Sequence, residues 1–265
     1  MINLLAAAAL AAASPTVAPA APASPAMFVV RDADTIVYIF GTFHALDGKA
    51  DWFSNQVRDA FENSNELVLE TLVPEGPGPV QMPAQPLAAP VTPVTPSASF
   101  LATTRMAISA GKSQGMQVNN GADMVLRHTA ESEGKPVEGL ETLESQFAMF
   151  NRMPSAAPAP RPIAGSPVEA SPMASLSVAM AEMQSAWKRG DQRVFVRLLE
   201  QLNQSSPTTY KMLFTDRNER WADWVAARMQ TPGTVFVAVG AGHLAGKDSL
   251  LAQLAQRGIE SRRVN

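Results

Sequence analysis

"IVYIFGTFHALD" occupies residues 36–47. Its first five residues, Ile36 to Phe40, are all apolar and read as a buried β-strand. The run ends at Gly41, and His44 follows three residues later. A second segment repeats the arrangement. "VFVAVGAGH", residues 235–243, is an apolar strand that ends at Gly240 and delivers His243. The chain has three histidines, and two of them carry a glycine three positions earlier, although glycine fills only 16 of 265 positions. Glycine at a strand end allows a tight or positive-φ turn. The imidazole that follows can then be aimed back over the sheet edge.

Working outward from the first strand, "MFVV" (27–30) and "TIVYIF" (35–40) flank "RDADT" and predict a hairpin with Asp32 and Asp34 as turn formers. Over residues 50–64, Trp52, Phe53, Val57, Ala60 and Phe61 recur at helical spacing. "ELVLE" (66–70) is then a short buried strand, which makes strand, helix and strand a βαβ unit. Helices are expected over 99–113, 122–133 and 143–150, and two more within 174–203, broken at Gly190-Asp191. An amphipathic helix is expected over 208–229 and a last one over 248–257. "KPVEGLE" (135–141) and 233–243 read as further strands, with "ESRRVN" at the end as an edge strand. Strands alternating with helices predict an α/β fold: a central, mostly parallel or mixed sheet with helical cover. Ligands of such sheets bind at the carboxyl ends of the strands.

Two stretches break this pattern. Residues 73–97 contain eight prolines and residues 153–172 contain six. Such a density of missing N–H donors suits extended insertions, not packed elements. Residues 1–26 read as a leader: 4–13 form an apolar run of signal-peptide length without a charged n-region, followed by Ala/Pro-rich linker. The expected organisation is this leader followed by one domain over 27–265 that carries both insertions. The expected location is periplasmic or secreted.

Composition narrows the function. The net charge is −3 and no basic cluster occurs, which argues against nucleic acid as a partner. The apolar run in the leader is too short for a transmembrane span. There is no cysteine, so disulfides, thiolate metal sites and thiol nucleophiles are excluded. A G-x-S-x-G nucleophile elbow, a P-loop, a G-x-G-x-x-G fingerprint and an HExxH motif are all absent from the sequence.

What remains is a constellation at strand ends. Glu70 closes "ELVLE" and Glu141 follows "KPVEGL", so both can share one crevice with His44 and His243. Two imidazoles and two carboxylates suit a divalent Zn, Mn, Co or Fe ion with an open position for water. Arg217 and Asn218 open the amphipathic helix ahead of Trp221 and Trp224, and the pair could clamp an oxyanion or a substrate carboxylate, while one of the glutamates could serve as general base instead of ligating. Trp221 and Trp224 read as packing residues, His128 as a surface residue and Asp123 as an ordinary residue of a helix's first turn.

The segments "YIFGTFHALD", "ELVLE", "NNGADMVL", "GKPVEGLET", "DRNERWADWV" and "VFVAVGAGHLAGKDSLLAQLAQRGIESRRV" together resemble the TraB/GumN family, which includes the Tiki metalloproteases. The resemblance implies a fold similar to erythromycin esterase and ChaN. It also implies metal-dependent hydrolysis in Tiki-like members and pheromone shutdown in TraB-like ones. On this resemblance His44 and His243 match the paired motif histidines, Glu70 and Glu141 the motif acids, and Arg217 and Asn218 the "RN" pair. The two proline tracts depart from the family pattern. The resulting expectation is an exported metal-dependent hydrolase acting on peptides or other small polar substrates. The competing readings are a non-catalytic binder of peptide or glycan and a metal-free, histidine-dependent esterase.

Overall fold

The structure is a computed structural model that describes residues 24–49, 52–53, 55–72, 106, 109–153 and 172–264. Both expected proline-rich insertions, apart from Met153 and Pro172, and residues 1–23 of the expected leader lie outside the described residues, as does Asp51.

The hairpin forms as expected from β1 (Met27–Arg31) and β2 (Thr35–Thr42). Asp32 Oδ1 accepts hydrogen bonds from the backbone N–H of Asp34 at 3.2 Å and of Thr35 at 2.8 Å, closing the turn. The chain continues through α1 (Asn55–Glu62), β3 (Glu66–Thr71), α2 (Ala122–Ser132), β4 (Val137–Glu141) and α3 (Leu143–Asn151). Then come α4 (Pro172–Lys188), α5 (Arg193–Ser205), α6 (Pro207–Tyr210), a π-helical turn (Lys211–Thr215) and α7 (Asp216–Arg228). The last elements are β5 (Gly233–Gly240), a 3-10 turn (Ala241–Leu244), α8 (Leu250–Gln256) and the two-residue β6 (Arg262–Arg263).

The six strands form one mixed sheet in the order β4-β3-β5-β2-β1-β6. The first four are mutually parallel, and β1 is antiparallel to both β2 and β6. The fold class is therefore α/β. One detail differs from the sequence reading. β2, α1 and β3 are consecutive, but β5 lies between the two strands. The reason is in the side chains: Val235 to Val239 are five buried residues in a row, and a strand apolar on both faces belongs at the centre of a parallel block.

Alternation along the strands divides the core into two layers. Phe40, Leu67, Leu69, Phe236 and Ala238 face Trp52, α1, Leu126 of α2 and Trp187 of α4. Val37, Ile39, Val68, Val235, Val237 and Val239 face Trp221 and Val225 of α7 and Leu250 and Leu254 of α8. The chain leaves β2 for α1 on the first face and leaves β5 for α8 on the second. These two strands are parallel neighbours, with Thr42 opposite Gly240. Connections that diverge from adjacent strands open a crevice at their carboxyl ends, and both Gly-x-x-His turns sit there. Among the described residues no helix is long and apolar enough to cross a membrane.

Candidate functional site

His243 lies on the 3-10 turn after β5 and is buried. Phe214 and Trp221 wall it in, with ring centroids 4.9 and 4.4 Å from the imidazole. Its Nδ1 is 2.7 Å from Asn218 Oδ1, while Asn218 Nδ2 donates to the carbonyl of Asp248 at 2.7 Å. Because the amide nitrogen is committed to a carbonyl, the amide oxygen must face the ring. Nδ1 therefore carries a proton and Nε2 presents its lone pair. Burial pulls the His243 pKa down to about 3, against the pull of Glu70, so the ring is neutral.

His44 is reached from the other layer. Its loop is tied down at several points: Trp187 Nε1 donates to Gly41 O at 2.7 Å, Lys188 pairs with Asp47 at 3.0 Å, and Ala122 N–H donates to Phe43 O at 3.0 Å. Gly121 lets α2 approach, because a Cβ there would lie 2.3 Å from the His44 carbonyl oxygen. The His44 ring remains exposed, with Nδ1 3.2 Å from Asp123 Oδ1. Desolvation opposes its charge, but the hydrogen bond its Nδ1–H donates to Asp123 and the negative charges of Asp123 and Glu70 outweigh it. The pKa rises to about 9.

Both glutamates end their strands at the same edge. Glu70 Oε2 accepts from Gly240 N–H at 3.2 Å, and Oε1 is paired with Arg217 Nη2. Burial would raise the Glu70 pKa, but the charge of Arg217 above all, with that of His44, holds it at about 2. Glu141 receives Arg217 Nε at 3.1 and 3.0 Å and Arg220 Nη2 at 3.0 Å.

Arg217 is the hub. Nε binds Glu141, Nη2 binds Glu70 and Glu141, and Nη1 reaches Leu213 O at 3.4 Å and His243 Nε2 at 3.3 Å. Its donors are directed to two carboxylates, a backbone carbonyl and His243. The group also lies 4.6 Å from the Trp221 ring centroid.

The six residues singled out in the sequence thus meet in one crevice. Their sequence spread is the decisive feature: they come from the ends of β2, β3, β4 and β5 and the first turn of α7. The chain matches the TraB/PrgY/gumN family over residues 26–93 and 80–263. It belongs to that family. No curated protein and no solved structure gives a significant match.

In this family member the glycines of the two motifs act by closeness, not by a left-handed backbone: neither Gly41 nor Gly240 has positive φ. A Cβ on Gly41 would lie 3.2 Å from the Ala241 Cα. A Cβ on Gly240 would project into the space between the functional groups, 3.5 Å from Glu70 Oε2, 3.5 Å from His44 Nε2 and 3.6 Å from His243 Cδ2. That space tests the fit of a metal. Two imidazoles turn Nε2 into the crevice with Nδ1 held by Asp123 or Asn218, the outer-shell pattern of metal-ligating histidines. Glu70 adds a carboxylate oxygen, so His44, His243 and Glu70 supply donor types that suit a divalent ion. The set is not closed: among the described residues no three such side chains surround a single ligating point. Glu141 fits less well as a ligand, since both its oxygens face arginines.

Asp123 is the residue of the crevice that sequence reasoning missed. "NNGAD" (119–123) was visible, but a carboxylate in a helix's first turn has a sufficient local role at the positive end of the helix dipole. Only the docking of Gly121 on His44 shows what it faces. Trp221 is core, as expected, and also a wall of the site. His128 is exposed on α2.

Proposed function

We propose that this protein is an exported metal-dependent hydrolase of peptides or other small polar substrates. The observation that carries the reading is the presentation of His44 Nε2, His243 and Glu70 Oε2 around the open side of Gly240. A divalent Zn, Mn, Co or Fe ion held by these three residues would polarise a carbonyl and acidify a water. The residues of the chain do the rest. Asp123 and Asn218 each hold the Nδ1–H of one histidine, so that Nε2 is the nitrogen each ring turns to the ion, with His44 giving up its Nε2 proton on loading. Glu141, the carboxylate that does not ligate, is the one left to accept a proton from an attacking water. Arg217 fixes both carboxylates at the strand ends. Trp221 and Phe214 keep water from the inner side of His243. Export rests on the apolar run at residues 4–13.

The test is metal content and peptide hydrolysis of the purified chain, before chelation, after it, and after return of each ion. The proposal expects one bound ion per chain, activity lost on chelation and restored by metal, and both lost in His44→Ala and His243→Ala. Turnover that survives chelation but needs His44 would instead establish the metal-free esterase reading. Peptide binding without turnover, indifferent to chelator, would establish a binding protein.

A further inference from the structure

The crevice holds a cation of its own. We infer that the Arg217 guanidinium is an internal stand-in for the metal, competing with it for His243 Nε2 while it holds Glu70 through Oε1, so that metal loading requires Arg217 to release His243. The inference rests on the metal-dependent reading above.

Three observations carry it. First, Arg217 donates to Glu70 Oε1 through Nη2 and lies 3.3 Å from His243 Nε2 through Nη1. Nε2 has only one lone pair, because Asn218 fixes the proton on Nδ1. That lone pair cannot serve the guanidinium and a metal at once. Second, the side chain is 5% exposed and ion-paired with both Glu70 and Glu141, so the metal-free site is internally neutralised, not left as buried unpaired carboxylates. Third, Arg217 has a fallback partner. Glu141 already takes its Nε and one Nη2 contact at 2.9 Å, and Glu141 is in turn held by Arg220. Release of His243 would leave Arg217 on Glu141 and on Glu70 Oε1, not bare. The shift also frees one donor on Nη1, which becomes available to a substrate oxygen. Loading order follows: metal before substrate.

The experiment uses the full chain, stripped with chelator and dialysed, and titrated calorimetrically with Co²⁺ and with Zn²⁺. Thermal unfolding is recorded with and without each ion. The variants are Arg217→Met, Arg217→Lys and the double variant Arg217→Met/Glu141→Gln. The double variant removes one charge of each sign and so avoids leaving Glu141 as a buried unpaired carboxylate. If Arg217 competes, Arg217→Met and the double variant bind Co²⁺ at least tenfold tighter than wild type, and Arg217→Lys falls between. The metal-free Tm of Arg217→Met falls, and its rise on adding metal exceeds that of wild type. If Arg217→Met does not fold, the double variant and Arg217→Lys decide. Stoichiometric binding by wild type with no tighter binding in the variants overturns the competition and leaves the metal reading standing. No binding by wild type or variants overturns both.

Discussion

The turns that deliver His44 and His243 share the Gly-x-x-His spacing and leave neighbouring parallel strands, yet their imidazoles end in opposite surroundings. The His44 side chain is 62% exposed and the His243 side chain 6%. His44 is held through its backbone and by one carboxylate; His243 is held by two aromatic walls and a neutral amide. The difference arises from the sheet. The connection after β2 departs on one face and that after β5 on the other, so the two rings converge on the crevice from opposite layers. The local motif places an imidazole at a strand end. The layer it enters decides whether that imidazole becomes a buried neutral base or an exposed cation.

The harshest way to break this asymmetry is to remove the wall on the buried side. Trp221 is 1% exposed and touches both His243 and Arg217. Trp221→Ala should cost about 3–5 kcal/mol of unfolding free energy, the range for large aromatic truncations in a core. Chemical denaturation measures it. A loss below about 1 kcal/mol would show that the wall contributes little. The exposed side has no residue whose truncation should cost as much through its contact with a histidine.

Gly121→Ala strikes the His44 side instead. A Cβ 2.3 Å from a backbone carbonyl cannot be absorbed by a rotamer change, so α2 and the His44 loop must separate. The expected cost is about 1–3 kcal/mol, typical of overpacking, with His44 losing Asp123. Wild-type stability, with the His44 resonance unmoved on NMR, would contradict the docking of α2 on this loop.

Much of this was legible in the sequence, and the reason differs by element. The strands were legible because parallel strands are continuous apolar runs: Val235 to Val239 could be little else. The hairpin was legible from Asp32 and Asp34. The spatial order was not, because periodicity says which residues are buried and not which strand lies beside which; hence β5 between β2 and β3. The site residues were legible as strand-end groups. Their partners were not. Asp123 meets His44 across 79 residues of chain, and Arg217 meets Glu70 across 147. Contacts of that span leave no local pattern.

Gly240→Ala should have a smaller effect on stability and a selective one on the site. The added methyl would meet its neighbours at ordinary contact distances of 3.5–3.6 Å, so the unfolding free energy should change by less than about 1 kcal/mol. The methyl nonetheless enters the space bounded by His44, His243 and Glu70. Calorimetric titration with Zn²⁺ should show weakened binding beside an unaltered Tm. Unchanged binding would place the ion elsewhere.

The mildest test separates the two rings by pH in metal-free protein. His243, lowered to about 3, favours the fold fully above its ordinary value of 6.5, and that contribution is lost as pH falls from 6.5 towards 3. His44, raised to about 9, contributes fully below 6.5, and that contribution is lost as pH rises from 6.5 to 9. The signs are opposite because the folded state binds fewer protons than the unfolded chain in the first window and more in the second. Asp123→Asn removes a carboxylate from His44 without touching His243. It should lower the His44 titration, followed by its Cε1–H resonance, from about 9 towards 6.5. It should also flatten the alkaline limb of the stability profile and leave the acid limb between 4.5 and 6.5 as it was. Because His44 is largely exposed, the change in stability at pH 7 should stay within about 0.5 kcal/mol. A His44 resonance that still titrates near 9 in Asp123→Asn would mean that Glu70 alone holds the charge. The exposed turn would then be governed from inside the crevice, like the buried one.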